Sequence, residues 1–208
     1  MKNDYSYQSK ANIACLIEDM EYQERKITLE KISDQFNSNE INWGMACSMN
    51  LFLRGIVDEF HDLDIIVDSK DISTVKEIME QNGAILVETG GNGFCESETY
   101  LHYQFGRVDI DIIAGFQLIT FGTNFIYHFC KEELEYVNVE TRKIPLISME
   151  AMYLLYSMME GWQPKRRYKR ILIDEYLKTV GTAFPYILEK ALHENLPGWI
   201  KQNIKDIL

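Results

Sequence analysis

Two aspartates one residue apart, Asp62 and Asp64, stand in the segment DLDIIVD, whose other residues up to Val67 are apolar. In a strand the period of two sends both carboxylates to one face and turns Leu63 and Ile65 toward a core. Carboxylates crowded at a strand end repel each other unless they share a cation, and oxygen donors of this kind suit magnesium. Alone, an Asp-x-Asp pattern is common, and a solvated strand end is its more frequent meaning. A second acidic strand changes that weighing. In RVDIDII, Asp109 and Asp111 share a face while Val108, Ile110 and Ile112 point the other way. An edge strand with one wet face would read the same way. Two acidic strands in one small sheet favour a shared site, with Asp109 as the third carboxylate and Asp111 as its alternative.

Other residues could serve the same chemistry. SMNLFLRGI reads as a short helix with Ser48 as a candidate cap, and its free N–H groups and dipole could hold a chain of phosphates. Cys47 sits beside Ser48 in that turn and is better read as a packed thiol than as a nucleophile. The run Lys165-Arg166-Arg167-Tyr168-Lys169-Arg170 concentrates positive charge in an acidic chain. It reads either as a solvated helix face, with Arg170 and Asp174 paired at i,i+4, or as a source of phosphate ligands, for which Lys165 and Lys169 are spaced to share a face. His61, His102 and His128 have no partner at zinc-like spacing and read as structural. Trp43 and Phe60 could stack on a base, although core packing is the commoner fate of such rings.

These residues need a scaffold, and hydrophobic period supplies one. Ile27, Leu29, Ile32 and Phe36 predict an amphipathic helix over 22–36. INWGMA then predicts a strand, followed by the short helix at Ser48 and the strand carrying Asp62 and Asp64. Ser69 to Gln81 predicts a helix stopped by Asn82-Gly83, and AILVE a strand. Gly90-Gly91-Asn92-Gly93 predicts a loop, and YLHYQF and RVDIDII two strands joined at Gly106. VNVETRKIPLI reads as one strand. SMEAMYLLYSMM, capped by Ser148, RRYKRILIDEYLKTV, PYILEKAL and PGWIKQNIKDIL read as helices, the last two with proline near the first turn. The fold class is α+β: a mixed sheet flanked by helices over residues 1–147, including helices at its N-terminus, and a helical region over 148–208.

The segment WGMACSMNLFLRGIVDEFHDLDIIV resembles the nucleotidyltransferase superfamily that includes DNA polymerase beta, and especially its small bacterial antibiotic-modifying branch. That family's pattern is Gly-Gly or Gly-Ser, a short helix, Asp-x-Asp on a strand, and a third carboxylate on a neighbouring strand. Cys47-Ser48, Asp62-Leu63-Asp64 and Asp109 follow that order, with Cys47 where glycine is usual and Gly44 nearby to lend backbone freedom. RKIPLISMEAMYLLY is similar to the strand-to-helix passage of lincosamide nucleotidyltransferases. The resemblance implies transfer of a nucleoside monophosphate from an NTP, ATP first among them, to the hydroxyl of a small acceptor such as an aminoglycoside or lincosamide. It implies Mg2+ held by Asp62, Asp64 and Asp109, outer phosphates touched at the Cys47-Ser48 turn, and Asp109 or Asp111 as general base, with Lys165 and Lys169 of the cationic run as further phosphate ligands. Related readings are an AMP-transferring enzyme acting on a protein partner, as in toxin–antitoxin members, and a nucleotide-binding module without turnover.

Composition narrows the partners. The chain has 208 residues, with 21 lysines and arginines against 32 acidic residues and a formal charge of −11. Such a field repels a nucleic-acid backbone and favours a small or cationic substrate. The four cysteines are widely spaced and read as buried free thiols. The start, MKNDYSYQSK, lacks a signal-peptide core and no run is long enough to cross a bilayer, so a cytoplasmic protein is expected.

Overall fold

The computed structural model of the protein describes residues 4–90 and 96–208. Two helices, α1 (Tyr5–Glu18) and α2 (Gln23–Ser38), precede β1 (Trp43–Met45), α3 (Cys47–Leu53) and β2 (Leu63–Val67). There follow α4 (Ile72–Gln81), β3 (Ile85–Thr89), β4 (Thr99–Phe105), β5 (Val108–Ala114), β6 (Phe116–Thr120), β7 (Thr123–Tyr127), β8 (Leu134–Val139) and β9 (Arg142–Ile147). Four helices close the chain: α5 (Met149–Glu160), α6 (Arg166–Val180), α7 (Pro185–Ala191) and α8 (Gly198–Ile207).

The main sheet has seven strands in the order β3-β4-β5-β2-β1-β9-β8 and is mixed, since β2 with β5 and β1 with β9 run parallel. The β6–β7 hairpin forms a separate two-stranded sheet. Where β4 turns into β5, Gly106 adopts φ +61°, as a tight turn after Phe105 requires. VNVETRKIPLI is two strands and not one: β8 and β9 form a hairpin that pairs Val139 with Arg142 across Glu140-Thr141, with Glu140 at φ +53°. A turn built without glycine or asparagine leaves the alternation of side chains unbroken, which is why it reads as a single strand.

In α2 the inward face is Leu29, Ile32, Ser33 and Phe36, whereas Ile27 is 56% exposed because a two-residue step from Leu29 crosses the helix. Helix α5 is buried from Met149 to Met159 on every side, as a central helix must be when it meets other elements all round. Ser148 caps it, its Oγ accepting from the Ala151 N–H at 3.4 Å. One continuous buried cluster runs from Leu16 in α1 to Ile204 in α8. The glycine loop expected after Gly90 and the thiol of Cys95 lie outside the described residues. Of the other thiols, Cys47 is buried and Cys15 and Cys130 are half-buried. Among the described residues, no helix is long and apolar enough to cross a membrane.

Candidate active site

The parallel pairing of β2 with β5 sets Asp64 directly beside Asp111, with Leu63 beside Ile110 and Ile65 beside Ile112. Leu63, Ile65, Ile110 and Ile112 are fully buried, so the alternating partners project together on the opposite face. Asp62 lies one residue before β2 begins. Among the described residues, Asp62, Asp64 and Asp111 offer carboxylate oxygens that all lie within 4.8 Å of one another. Asp109 is not part of this group. It stands one side-chain repeat upstream on β5, 52% exposed, with its Oδ1 at 3.6 Å from His102 Nε2.

The crowding has an electrostatic signature. Burial, followed by the charges of Asp62 and Asp111, pushes the Asp64 carboxyl up to about 8, with Arg166 and Lys169 pulling in the other direction. Burial likewise raises Asp111, offset by hydrogen bonds from His102 and Tyr100. His102 faces Asp111 across the β4–β5 ladder, its Nδ1 only 2.7 Å from Asp111 Oδ1. Sequence spacing alone reads this histidine as structural, and the ladder brings it to the carboxylates. Burial and the Asp111 charge hold the Tyr100 hydroxyl protonated, which keeps it a donor.

The turn before α3 is built differently from expectation. Ala46, extended at φ −121°, holds the cap position, its N–H donating to the Asp64 carbonyl at 2.8 Å. Ser48 is therefore inside the helix, not its cap, and its hydroxyl donates to Asp62 Oδ1 at 3.4 Å. Cys47 takes φ +46°, the left-handed conformation in which glycine is at ease, at a cost of about 1–2 kcal/mol. Its thiol is buried, and burial together with the Asp64 charge pushes it well above the usual range, so it stays protonated. Gly44 does not serve this turn. A Cβ there would stand 2.7 Å from Ile147 Cδ1 and 2.8 Å from Leu134 Cδ2, so its role is the close packing of β1 against the β8–β9 hairpin. Asn50 locks the turn from beneath, donating to the carbonyls of Met45 and Ile147, each at 2.8 Å.

Helix α6 supplies the opposing charge. Arg166 and Lys169 both act electrostatically on Asp64 and Cys47. Arg166 lies over the Tyr156 ring at 5.9 Å and donates from Nε to Gln163 Oε1 at 3.0 Å. Burial, with Arg166 as its neighbour, depresses the Lys169 ammonium. Lys165 is exposed at the helix start, and the two α6 cations that act on the carboxylates are Arg166 and Lys169. Arg170 does not pair with Asp174. It is buried, donates to Glu160 Oε2 at 2.7 Å and lies over Trp199, while Asp174 pairs with Lys178 at 2.9 Å.

Between these walls lies a cavity of about 190 Å3 lined by Cys47, Asp64, Asp111, Arg166, Tyr100, Glu88, Ile113, Phe116, Met159 and Trp162, with Gly90 at its edge. Trp43 and Phe60 are core residues: Trp43 Nε1 donates to Asn37 Oδ1 at 3.0 Å, and Phe60 stacks on Tyr22. His61 and His128 are exposed, and neither belongs to the clustered donor group, although His61 directly precedes Asp62 in the chain.

Solved structures share this architecture. A Thermotoga maritima protein described as a nucleotidyltransferase superposes with a TM-score of 0.59 at 20% identity, over 72% of this chain and 92% of its own. The antibiotic-resistance factor ANT(2'')-Ia in solution gives 0.54 at 14% identity, over 74% of this chain and 85% of its own. A crystal structure of ANT(2'')-Ia in complex with adenylyl-2''-tobramycin gives 0.53 at 11% identity, over 87% and 95%. No curated protein sequence matches the chain. The sheet order and these structures define the class, a nucleotidyltransferase fold. Within that class, the profile of the aminoglycoside-2''-adenylyltransferase family matches residues 28–171, and the chain belongs to that family.

Proposed function

We propose that the protein transfers a nucleoside monophosphate, AMP in the first instance, from an NTP to a hydroxyl of a small cationic acceptor. The observation that carries this reading is the convergence of Asp62, Asp64 and Asp111 from two strands, facing Arg166 and Lys169 from α6. An all-carboxylate donor set, with one member raised to about 8 by burial and by its two neighbours, fits a hard divalent cation such as Mg2+. Asp62, Asp64 and Asp111 would hold it, and when bound it supplies neutralisation of the triphosphate and polarisation at the phosphorus.

The rest is the work of the chain's own groups. Ser48 and the N–H groups at the start of α3 receive the outer phosphates, and Arg166 and Lys169 neutralise charge that builds on the departing pyrophosphate. Asp111, at the cavity wall, orients the acceptor hydroxyl and takes its proton as the oxygen attacks the α phosphorus. Glu88, on the same wall, and the formal charge of −11 support a cationic acceptor.

The test is pyrophosphate release and acceptor mass gain with ATP, Mg2+ and a panel of polyhydroxylated amines. Asp111→Asn is expected to lose at least about a hundredfold in kcat and Asp109→Asn less than about threefold. Equal losses in the two variants would remove Asp111 from the proposed role. Absence of product with every acceptor would remove the transfer reaction itself.

A further inference from the structure

Asp111 is held more tightly than its two companions, and by groups from the strand next door. The register of β4 against β5 sets His102 opposite Asp111 and Gln104 opposite Asp109. His102 Nδ1 lies 2.7 Å from Asp111 Oδ1, within hydrogen-bond range, while its Nε2 lies 3.6 Å from Asp109 Oδ1, beyond it. Tyr100, two residues earlier on the same face of β4, donates its hydroxyl to Asp111 as well. A carboxylate that gives one oxygen to a neighbouring imidazole can rotate little, and its other oxygen is aimed by default. Asp62 and Asp64 receive a weaker restraint: the Ser48 hydroxyl reaches Asp62 at 3.4 Å, near the limit of a hydrogen bond.

We propose that His102 is a positioning residue for the cation site, its Nδ1–H fixing the Asp111 carboxylate in the orientation that completes the oxygen cluster with Asp62 and Asp64. Resting on the reading of that cluster as a divalent-cation site, the proposal also gives a physical reason for Asp111, and not Asp109, being the third carboxylate. Outer partners of this kind typically change metal affinity by about 10- to 100-fold when removed. A carboxylate acceptor requires the proton on Nδ1, with Nε2 turned toward Asp109.

The two ring nitrogens can be told apart by amide substitution. The side-chain amide of His102→Asn reaches the Nδ1 position, and that of His102→Gln reaches the Nε2 position. Mn2+ binding, measured by the loss of its free electron paramagnetic resonance signal in the presence of a non-hydrolysable ATP analogue, reads the site without turnover. His102→Ala is expected to weaken Mn2+ about 10- to 100-fold. His102→Asn should recover most of that loss and His102→Gln should not, with kcat following the same order and KM for the acceptor nearly unchanged. Wild-type Mn2+ affinity in His102→Ala would overturn the proposal, as would equal recovery by Asn and Gln. If His102→Ala fails to fold, the Asn and Gln pair still decides. If the wild-type protein binds no Mn2+ even with the nucleotide analogue, the cation site itself is refuted and this proposal with it. If the wild type binds and only the His102 series is flat, the cation site stands without it.

Discussion

Replacing Asp64 with asparagine should make the cation-free protein more stable while removing its response to magnesium. Asp64 has two carboxylate neighbours whose oxygens lie within 4.8 Å. At an effective dielectric constant of ~20, unit charges at that distance repel by about 3.5 kcal/mol each. Arg166 and Lys169 offset part of this, and partial exposure screens more, leaving a net cost of roughly 2 kcal/mol. For a chain of this size that is an increase in Tm of about 4–8 °C for Asp64→Asn in a chelating buffer. The pH dependence has a definite sign. The folded-state carboxyl is raised to about 8 from the ordinary carboxylate range, so the folded state binds more protons than the unfolded one between those limits. Wild-type stability from this group therefore falls as pH rises from about 4 to 8, and the advantage of Asp64→Asn grows over that window and levels off above it. Added magnesium should reverse the ranking, since a ligand at a hundred times its Kd contributes about 2.7 kcal/mol to the wild type alone. Differential scanning fluorimetry from pH 5 to 9, with chelator and with Mg2+, measures all of this. An Asp64→Asn protein that melts at or below the wild type in chelator at pH 8.5 would refute the reasoning.

Two further substitutions probe the opposite wall and the turn. Arg166→Gln and Lys169→Gln should each raise the KM for ATP about tenfold or more, the loss of a charge-assisted hydrogen bond, while Lys165→Gln changes it less than about twofold; steady-state kinetics with equal effects at all three positions would contradict the assignment from α6. Cys47→Gly relieves a left-handed backbone at the cost of a buried thiol and added chain entropy, so its Tm should stay within about 3 °C of the wild type. The KM for ATP should fall as the turn opens. An unchanged KM with a large drop in Tm would mean that the thiol is needed for packing.

The carboxylates were legible because a strand has a period of two, and Asp62, Asp64, Asp109 and Asp111 advertise it. Which of the last two completes the cluster was not. That depends on the register of β2 against β5, a relation between segments far apart in sequence. The cationic helix shows a different limit. Ile173 and Leu177 are its buried apolar residues, and Arg166 and Lys169 share their face, whereas Lys165 is rotated about 100° from Arg166. The apolar stripe, and not the spacing of the lysines, marks Arg166. His102 carried no signal, since only the β4–β5 ladder brings it to Asp111. The bounds of helix α1 are hidden for another reason. The helix docks through a buried polar residue, Asn12, whose amide donates to the carbonyls of Phe52 at 2.7 Å and Val57 at 2.9 Å, and hydrophobic period cannot report such a contact.

The parallel pairing of β2 with β5 also constrains how the chain assembles. Asp64 and Asp111 meet only once β5 has paired with β2, two strands that α4, β3 and β4 separate along the chain. Until that closure, a cation finds at most the local Asp62-x-Asp64 pair. If the cluster holds a cation as proposed, and β5 pairs with β2 after the folding transition state, the metal should appear in refolding experiments as slower unfolding with little change in the folding rate. On that reading, withdrawing the cation would leave the folding rate alone and shorten the life of the folded state.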